Sequence, residues 1–173
     1  MQDKFDEYLK NEEMPNRLRA LTAKSFRNVD HELTGSDVNC ELATYGDALL
    51  KHALCKILFD AEEENITVEK QRFESDKVLV NVIAKHYGLL DYMRFDRNDG
   101  NIPQDYNYPT QKEENQKGND SPYKYIATAV EALVASFYLD NGEDFGLVIE
   151  IAKHWKLLID NSKKEGFSPL CTT

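Results

Sequence analysis

The chain has 173 residues, enough for one domain with a sizeable core, and its 41% hydrophobic and 30% charged residues are ordinary for a soluble globular protein. A formal net charge of −10 excludes indiscriminate binding to nucleic-acid backbones, which requires a basic face. No apolar run is long enough to span a membrane, and the charged N-terminus lacks the apolar segment of a secretory signal. Three widely spaced cysteines favour reduced thiols and a cytoplasmic location.

Helical patterns cover most of the chain, and no sustained strand pattern is present. Pro15 can open the second predicted helix, Ser36 or Asp37 can cap the third, and Gly88 lies at a C-cap position after the fourth. The predicted helices span 2–13, 15–27, 38–59, 67–86, 122–140 and 143–163, with a short continuation after Gly88.

Residues 96–122 are rich in Asn, Asp, Gly and Pro, and a loop of this length in a compact domain is usually functional or disordered. No internal repeat or second domain is visible. We therefore predict a single all-α domain of about seven helices over residues 1–173, with a core at about 15–160 and a frayed tail at 164–173.

Gly46 and Asp47 interrupt the helix predicted at 38–59, where an interior glycine costs about 1 kcal/mol relative to alanine. At about 100° per residue, Gly46 lies within the apolar stripe and Asp47 lies about 110° from its centre. The glycine therefore predicts the close approach of a second helix, with Asp47 pointing into the seam between them.

The helix predicted at 122–140 has the same design, because Glu131 lies about 120° from its stripe centre beside small residues. The carboxylates of Asp47 and Glu131 could then meet at one seam. Mg²⁺ is typically held by one or two carboxylates together with substrate phosphates. The alternative is that each carboxylate is solvated or paired with a lysine, such as Lys51 at i+4 from Asp47.

Four segments, in order between about residues 15 and 160, resemble the ribonuclease III family. The run NCELATYGDALL is similar to the family signature NERLEFLGDAVL, and KYIATAVEALVASFYLDNG is similar to its second motif, KILADAFEALIGAIYLDGG. ALTAKSF and VLVNVIAKHYGLLDY are similar to two further family segments. The four segments together indicate the family more specifically than either motif does alone.

The resemblance implies an all-α ribonuclease III endonuclease-like fold, a homodimer formed through the signature helix, and cleavage of double-stranded or structured RNA. It implies that Asp47 and Glu131 are catalytic and bind Mg²⁺, for which Mn²⁺ is a substitute. Thr128, one turn before Glu131, is expected to orient a metal-bound water or else to bond to its own backbone. Lys124, which matches a lysine of the second motif, is expected to place charge near the site or to lie on the surface.

Several positions depart from the usual family pattern. Two further family carboxylates correspond to Ala43 and Thr128, and the histidine of the ALTHRSF segment corresponds to Ala23. The Mini-ribonuclease III branch is similar in having Ala and Thr at the first two positions, and its site rests on one Asp and one Glu. As in that branch, we expect no double-stranded-RNA-binding domain after the last helix. The branch's RNA-contacting loop corresponds to residues 96–122, which are not basic here.

Two functions remain open. The first is a Mg²⁺-dependent endoribonuclease that processes RNA, in ribosomal RNA maturation as in the Mini branch. The second is a catalytically inactive dimeric module that binds RNA or acts as a scaffold in a protein complex, which the missing carboxylates and acidic charge favour. A protein partner could then supply basic surface. The chain's most basic short stretch carries the predicted RNA contacts, Arg17, Arg19, Lys24 and Arg27.

Overall fold

The computed structural model describes residues 4–96, 105–106 and 122–164. Over these residues the chain is helical, and its nearest approach to a sheet is one isolated parallel bridge between Thr22 and Arg94. The predicted all-α fold is therefore confirmed. The helices are α1 (Lys4–Lys10), α2 (Arg17–Ala20), α3 (Cys40–Asp60), α4 (Ile66–Phe73), α5 (Asp76–Val78, continued by the π-helical turn Leu79–Ala84), α6 (Pro122–Asp140) and α7 (Phe145–Lys164).

Helices α3 and α6 form the centre of the fold and pack along each other. The apolar stripe of α6 is wholly buried, as its sequence spacing predicts. Its members are Ile126, Val130, Leu133, Val134 and Phe137. Helix α7 covers α3 and the π-helical turn, and its Trp155 indole N–H donates a hydrogen bond of 3.2 Å to the Tyr87 hydroxyl. In the described part of the chain, no helix combines the length and apolarity that crossing a membrane requires.

Helix α1 belongs to the same core. The ring of Phe5 packs edge-on against Trp155, with 5.3 Å between ring centroids. The Tyr8 hydroxyl donates a 2.7 Å hydrogen bond to Asp140 at the end of α6, and burial raises the pKa of Tyr8. Asp140 also accepts hydrogen bonds from the backbone N–H and side-chain amide of Asn16. The C-terminal end of α6 therefore anchors the N-terminal segment.

The prediction of one continuous helix at 15–27 is wrong. Helix α2 ends at Ala20, and a 3₁₀ turn follows at Lys24–Asn28. Between them the backbone bonds to a distant segment: the Ala23 N–H donates to the Arg94 carbonyl, and the Arg94 N–H donates to the Leu21 carbonyl, both at 2.8 Å. These tertiary partners replace the local helical bonds.

The helix predicted at 67–86 is interrupted. Helix α4 ends at Phe73, and Ser75 adopts an extended conformation before α5 begins. The Ser75 hydroxyl donates to the Arg72 carbonyl at 3.0 Å. Gly88, after α5, has a φ of +60°, the left-handed conformation that is common for a glycine following a helix.

The predicted N-cap of α3 is also wrong, because the helix begins at Cys40 after Asn39. Asp37 instead closes the preceding 3₁₀ turn and accepts a 2.7 Å hydrogen bond from the Thr34 backbone N–H. Hydrogen bonds from Thr34 lower the pKa of Asp37. Helix α1 ends at Lys10, before the predicted end at residue 13. Most of the predicted loop 96–122, and the tail from residue 165, lie outside the described residues.

Candidate active site

Gly46 is the point where α3 meets α6. A Cβ atom at this position would lie 1.8 Å from the Glu131 carbonyl oxygen and 3.1 Å from the Ala135 backbone nitrogen. Only glycine permits this approach of one helix backbone to another, since the obstructing atoms are main-chain atoms that cannot rotate away. The interior glycine therefore serves close helix packing, and it brings the turn of α3 that carries Asp47 against the turn of α6 that carries Glu131.

Asp47 lies at the edge of this seam and is 33% exposed. Its Oδ2 accepts a 2.7 Å hydrogen bond from the ammonium group of Lys51, one turn later on α3. Hydrogen bonding to Asp47 raises the pKa of Lys51, and the negative charges of Glu74 and Glu131 add to the effect. Asp47 thus has the lysine partner that its sequence spacing allows.

Glu131 is half-buried on α6 and makes no hydrogen bond or ion pair with another described residue. The pKa of Glu131 is raised to about 7, chiefly by burial and also by the negative charges of Asp47 and Asp76. Lys51 and Lys124 act in the opposite direction without cancelling the shift. The negative charges of Asp47 and Glu131 therefore act on each other at this seam.

Asp76, at the start of α5, is a site neighbour that the sequence motifs did not indicate. Its charge acts on Glu131, and α5 packs against α6. Glu74, at the end of α4, is bonded to Lys70 and acts electrostatically on Lys51. The sequence carries only a local signal, because Ser75 followed by an acidic residue is a typical helix start. That signal does not indicate that α5 packs against α6.

Thr128 lies one turn before Glu131 and is half-buried; its hydroxyl bonds to no residue within the ranges that the structure describes. The predicted alternative, a bond to its own backbone, is therefore not formed. Lys124 is exposed, and its charge reaches Glu131. Ala43, one turn before Asp47, is only 4% exposed and packs in the core.

Asp47 and Glu131 are the candidate metal ligands. Within residues 4–96, 105–106 and 122–164, no group of three or more His, Cys, Asp and Glu side chains is arranged to hold a metal ion. A cation at the seam would therefore depend on two carboxylates and on ligands from water and substrate, the arrangement typical of Mg²⁺.

The predicted RNA contacts divide into two pairs. Arg17 is 7% exposed, its Nε donates to the Leu9 carbonyl, and its guanidinium lies 5.6 Å from the ring centre of Tyr92. Arg19 donates a 2.8 Å hydrogen bond to Glu41. Arg17 is therefore buried in packing and Arg19 is in an ion pair, and an RNA contact at either residue stays a prediction.

Lys24 and Arg27 are exposed on the 3₁₀ turn. They line an open concavity of about 260 Å³ together with Asn28, His31 and Leu33. Of the four predicted contacts, these two are the exposed residues.

Comparison with known proteins agrees with the sequence motifs. The Ribonuclease III domain family matches residues 41–142, which include both seam helices. Ribonuclease 3 of Actinobacillus pleuropneumoniae serotype 5b (strain L20) is 26% identical over 139 residues, covering 74% of this chain and 55% of that protein. The chain thus spans about half the length of this curated relative. Since the family match covers more than half of its residues, the chain belongs to the ribonuclease III domain family.

Proposed function

We propose that this chain is a divalent-metal-dependent endoribonuclease that cleaves double-stranded or structured RNA. Membership of the ribonuclease III family supports an RNA-cleaving activity, and the curated relative is named Ribonuclease 3. The observation that carries the proposal is the seam at Gly46, where a main-chain contact holds two acidic turns together. At this seam, burial and the charge of Asp47 raise the pKa of Glu131.

We further propose that the enzyme acts in ribosomal RNA maturation, as a cytoplasmic homodimer formed through α3. The presence of both Ala43 and Thr128 supports a role in ribosomal RNA maturation, because the Mini-ribonuclease III branch has the same two residue types at these positions. The free thiols of Cys40 and Cys55 support a reducing compartment.

The donor set fits a hard divalent cation such as Mg²⁺ or Mn²⁺. Carboxylate oxygens are the ligands that Mg²⁺ prefers, and a divalent ion would offset the negative charges of Asp47 and Asp76, which add to the effect of burial on the pKa of Glu131. A metal ion can displace Lys51 from Asp47, because the Asp47 carboxylate is one-third exposed and an exposed ion pair contributes less than about 1 kcal/mol to stability.

When bound, the ion would polarise the scissile phosphate and lower the pKa of the attacking water. The chain's own residues hold and orient the reactants. Glu131 must lose its proton before it can bind a cation, and Asp47 must release Lys51. The Thr128 hydroxyl, one turn from Glu131 and unbonded among the described residues, is available to orient a water. Lys124 supplies positive charge that lowers the pKa of Glu131.

The second candidate function is a non-catalytic dimeric module that binds RNA or a protein complex, with a partner that supplies basic surface. Two observations favour it. Asp47 is held by Lys51, and Ala43, where the family usually has a ligand, is buried in the core. The acidic net charge of −10 points in the same direction.

The deciding experiment measures cleavage of duplex RNA with Mg²⁺, with Mn²⁺ and with chelator. We expect metal-dependent cleavage by the unmodified protein and its loss in Asp47→Asn and Glu131→Gln. The matched control is Asp60→Asn, because Asp60 lies on the same helix and accepts a 2.8 Å bond from Lys56 in a similar i,i+4 pair. RNA binding without cleavage, equal in all four proteins, would decide for the non-catalytic module.

A further inference from the structure

The concavity beside the 3₁₀ turn differs from the rest of the surface in its charge. Three of its lining residues, Lys24, Arg27 and His31, are basic or can become so, and none of the lining residues is acidic. This is unexpected in a chain with a net charge of −10. The concavity therefore concentrates basic groups that the overall charge does not predict.

Elsewhere, many basic side chains are neutralised by acidic partners. The pairs include Lys4–Glu150, Lys10–Asp6, Arg19–Glu41, Lys51–Asp47, Lys56–Asp60, Lys70–Glu74, Arg72–Asp160, Arg94–Asp30 and Lys156–Asp160. By contrast, Lys24 and His31 make no hydrogen bond or ion pair with any residue in the described ranges. Their donors are available to an anion from outside the chain.

Arg27 is held in place by only part of its guanidinium group. Its Nε donates a 3.2 Å hydrogen bond to the Leu33 carbonyl, which ties the turn to the following loop. Its two terminal nitrogens donate to no residue that the structure describes. A guanidinium fixed through Nε keeps the paired terminal donors that suit the geometry of a phosphate group.

Asp30, which lies between Arg27 and His31 in the sequence, interacts with other partners. Asp30 lies 4.0 Å from a terminal nitrogen of Arg94, and its Oδ1 accepts a 3.2 Å hydrogen bond from the Glu32 backbone N–H. Arg94 in turn lies over the ring of Phe26, 4.3 Å from its centre. Asp30 therefore does not neutralise Lys24 or Arg27, although it is close to both in sequence.

We propose that this concavity binds a phosphate group of the RNA chain, with Lys24 and Arg27 as its principal donors and His31 and Asn28 at its wall. The source of the phosphate rests on the proposed function. The volume of about 260 Å³ is below the roughly 300–1,000 Å³ of pockets for drug-sized ligands, which favours a small anionic group over a whole nucleotide. The site would hold a phosphate other than the reacting one, because neither Asp47 nor Glu131 lines the concavity.

The first test uses inorganic phosphate and follows the side-chain resonances of His31 and Arg27 by NMR. We expect both to shift with phosphate and not with chloride at equal ionic strength. Lys24→Gln, which breaks no hydrogen bond to a described residue, is expected to reduce the response. Equal shifts with chloride, or none with phosphate, would overturn the site.

The second test measures affinity for duplex RNA over a salt series without metal, so that binding is read apart from cleavage. The double variant Lys24→Gln/Arg27→Gln is expected to bind several-fold more weakly. The slope of log affinity against log salt should fall by about one, the change expected for one lost phosphate contact. The control is Lys85→Gln/Lys153→Gln, which removes the same charge from exposed lysines outside the concavity.

Equal losses in both double variants would mean that only net charge matters, and would overturn the proposal. Shifts with phosphate but an unchanged salt slope would make this a site for free phosphate and would overturn the assignment to RNA. Cleavage that needs Asp47 but not Lys24 or Arg27 would leave the proposed function standing without this site. If the concavity binds phosphate and RNA but the protein cleaves no RNA, this site would stand and the proposed function would be overturned.

Discussion

Gly46 of α3 and Glu131 of α6 are in main-chain contact, with 1.8 Å between the Glu131 carbonyl oxygen and the place where a Cβ of residue 46 would lie. Side-chain repacking cannot relieve such an overlap. The separation of the two helices, and with it the relation between the two acidic turns, is therefore determined by backbone atoms.

Gly46→Ala is expected to destabilise the protein strongly, although alanine is the better helix former by about 1 kcal/mol. Overpacking typically costs 1–3 kcal/mol, and a clash with main chain leaves little room to relax, so we expect about 3 kcal/mol or more. Urea unfolding measures the loss. Gly35→Ala is the control, because a Cβ there meets no atom within 4 Å. Equal stability of the two variants would contradict the close contact.

Lys51→Met is expected to increase the affinity for Mn²⁺ about two- to tenfold, because the metal no longer has to displace an ammonium group from Asp47. The titration is best made above pH 7, because the pKa of Glu131 is raised to about 7 and loss of Lys51 would raise it further. Stability should change by less than about 0.5 kcal/mol, since Lys51 is 43% exposed. Lys56→Met, which breaks the equivalent pair with Asp60, should leave metal affinity unchanged. Weaker binding in Lys51→Met would show that the lysine assists the metal.

The stability of the metal-free protein is expected to fall as the pH rises from about 4.5 to about 7. In this range the folded chain retains the Glu131 proton, whose pKa is raised to about 7 from its ordinary 4.5, while the unfolded chain releases it. The stabilisation is complete below pH 4.5 and is lost as the pH passes the folded pKa. We expect a loss of about 2 kcal/mol, which allows for the solvent that reaches a half-buried carboxylate.

Urea unfolding of the unmodified protein and Glu131→Gln, at pH 5 and pH 8 with chelator, isolates this contribution. The difference in the free energy of unfolding between the two proteins should change by about 2 kcal/mol over that interval. The affinity of the unmodified protein for Mn²⁺ should rise through about pH 7, because the metal needs the ionised carboxylate. A constant difference would mean that Glu131 titrates normally.

Thr128→Asp is expected to increase Mn²⁺ affinity about tenfold by adding a carboxylate one turn from Glu131. Without metal, the additional charge should raise the pKa of Glu131 further. Calorimetric titration measures the affinity, and Thr44→Asp, at an exposed position of α3, controls for charge alone. Equal effects of the two substitutions would show that residue 128 does not face the proposed ion.

The long helices were predictable because their apolar residues repeat at helical spacing over several turns. The main examples are α3, α6 and α7. The end of α2 was not predictable, because the Ala23 and Leu21 backbones bond to Arg94, about 70 residues later in the chain. The interruption at Ser75 had a local signal, a serine followed by an acidic residue, which the continuing apolar pattern obscured.

The candidate site was predictable to the extent that it is encoded locally. Gly46 indicated close helix packing, and the spacing from Asp47 to Lys51 indicated an ion pair; both are present. The charge of Asp76 beside Glu131 depends on how α5 approaches α6, which no single segment contains. The burial of Arg17 was not predictable for the same reason, because its acceptor is a carbonyl on another helix.

The π-helical turn Leu79–Ala84 lies between Asp76 and the left-handed Gly88. A π turn contains more residues than an α turn, so it accommodates extra length without ending the helix. Loss of one residue there would restore ordinary helical winding and rotate Asp76 by about 100° relative to the chain that follows. Insertion or deletion at this turn is therefore a route by which evolution could add or withdraw a negative charge beside Glu131 while both seam helices stay unaltered.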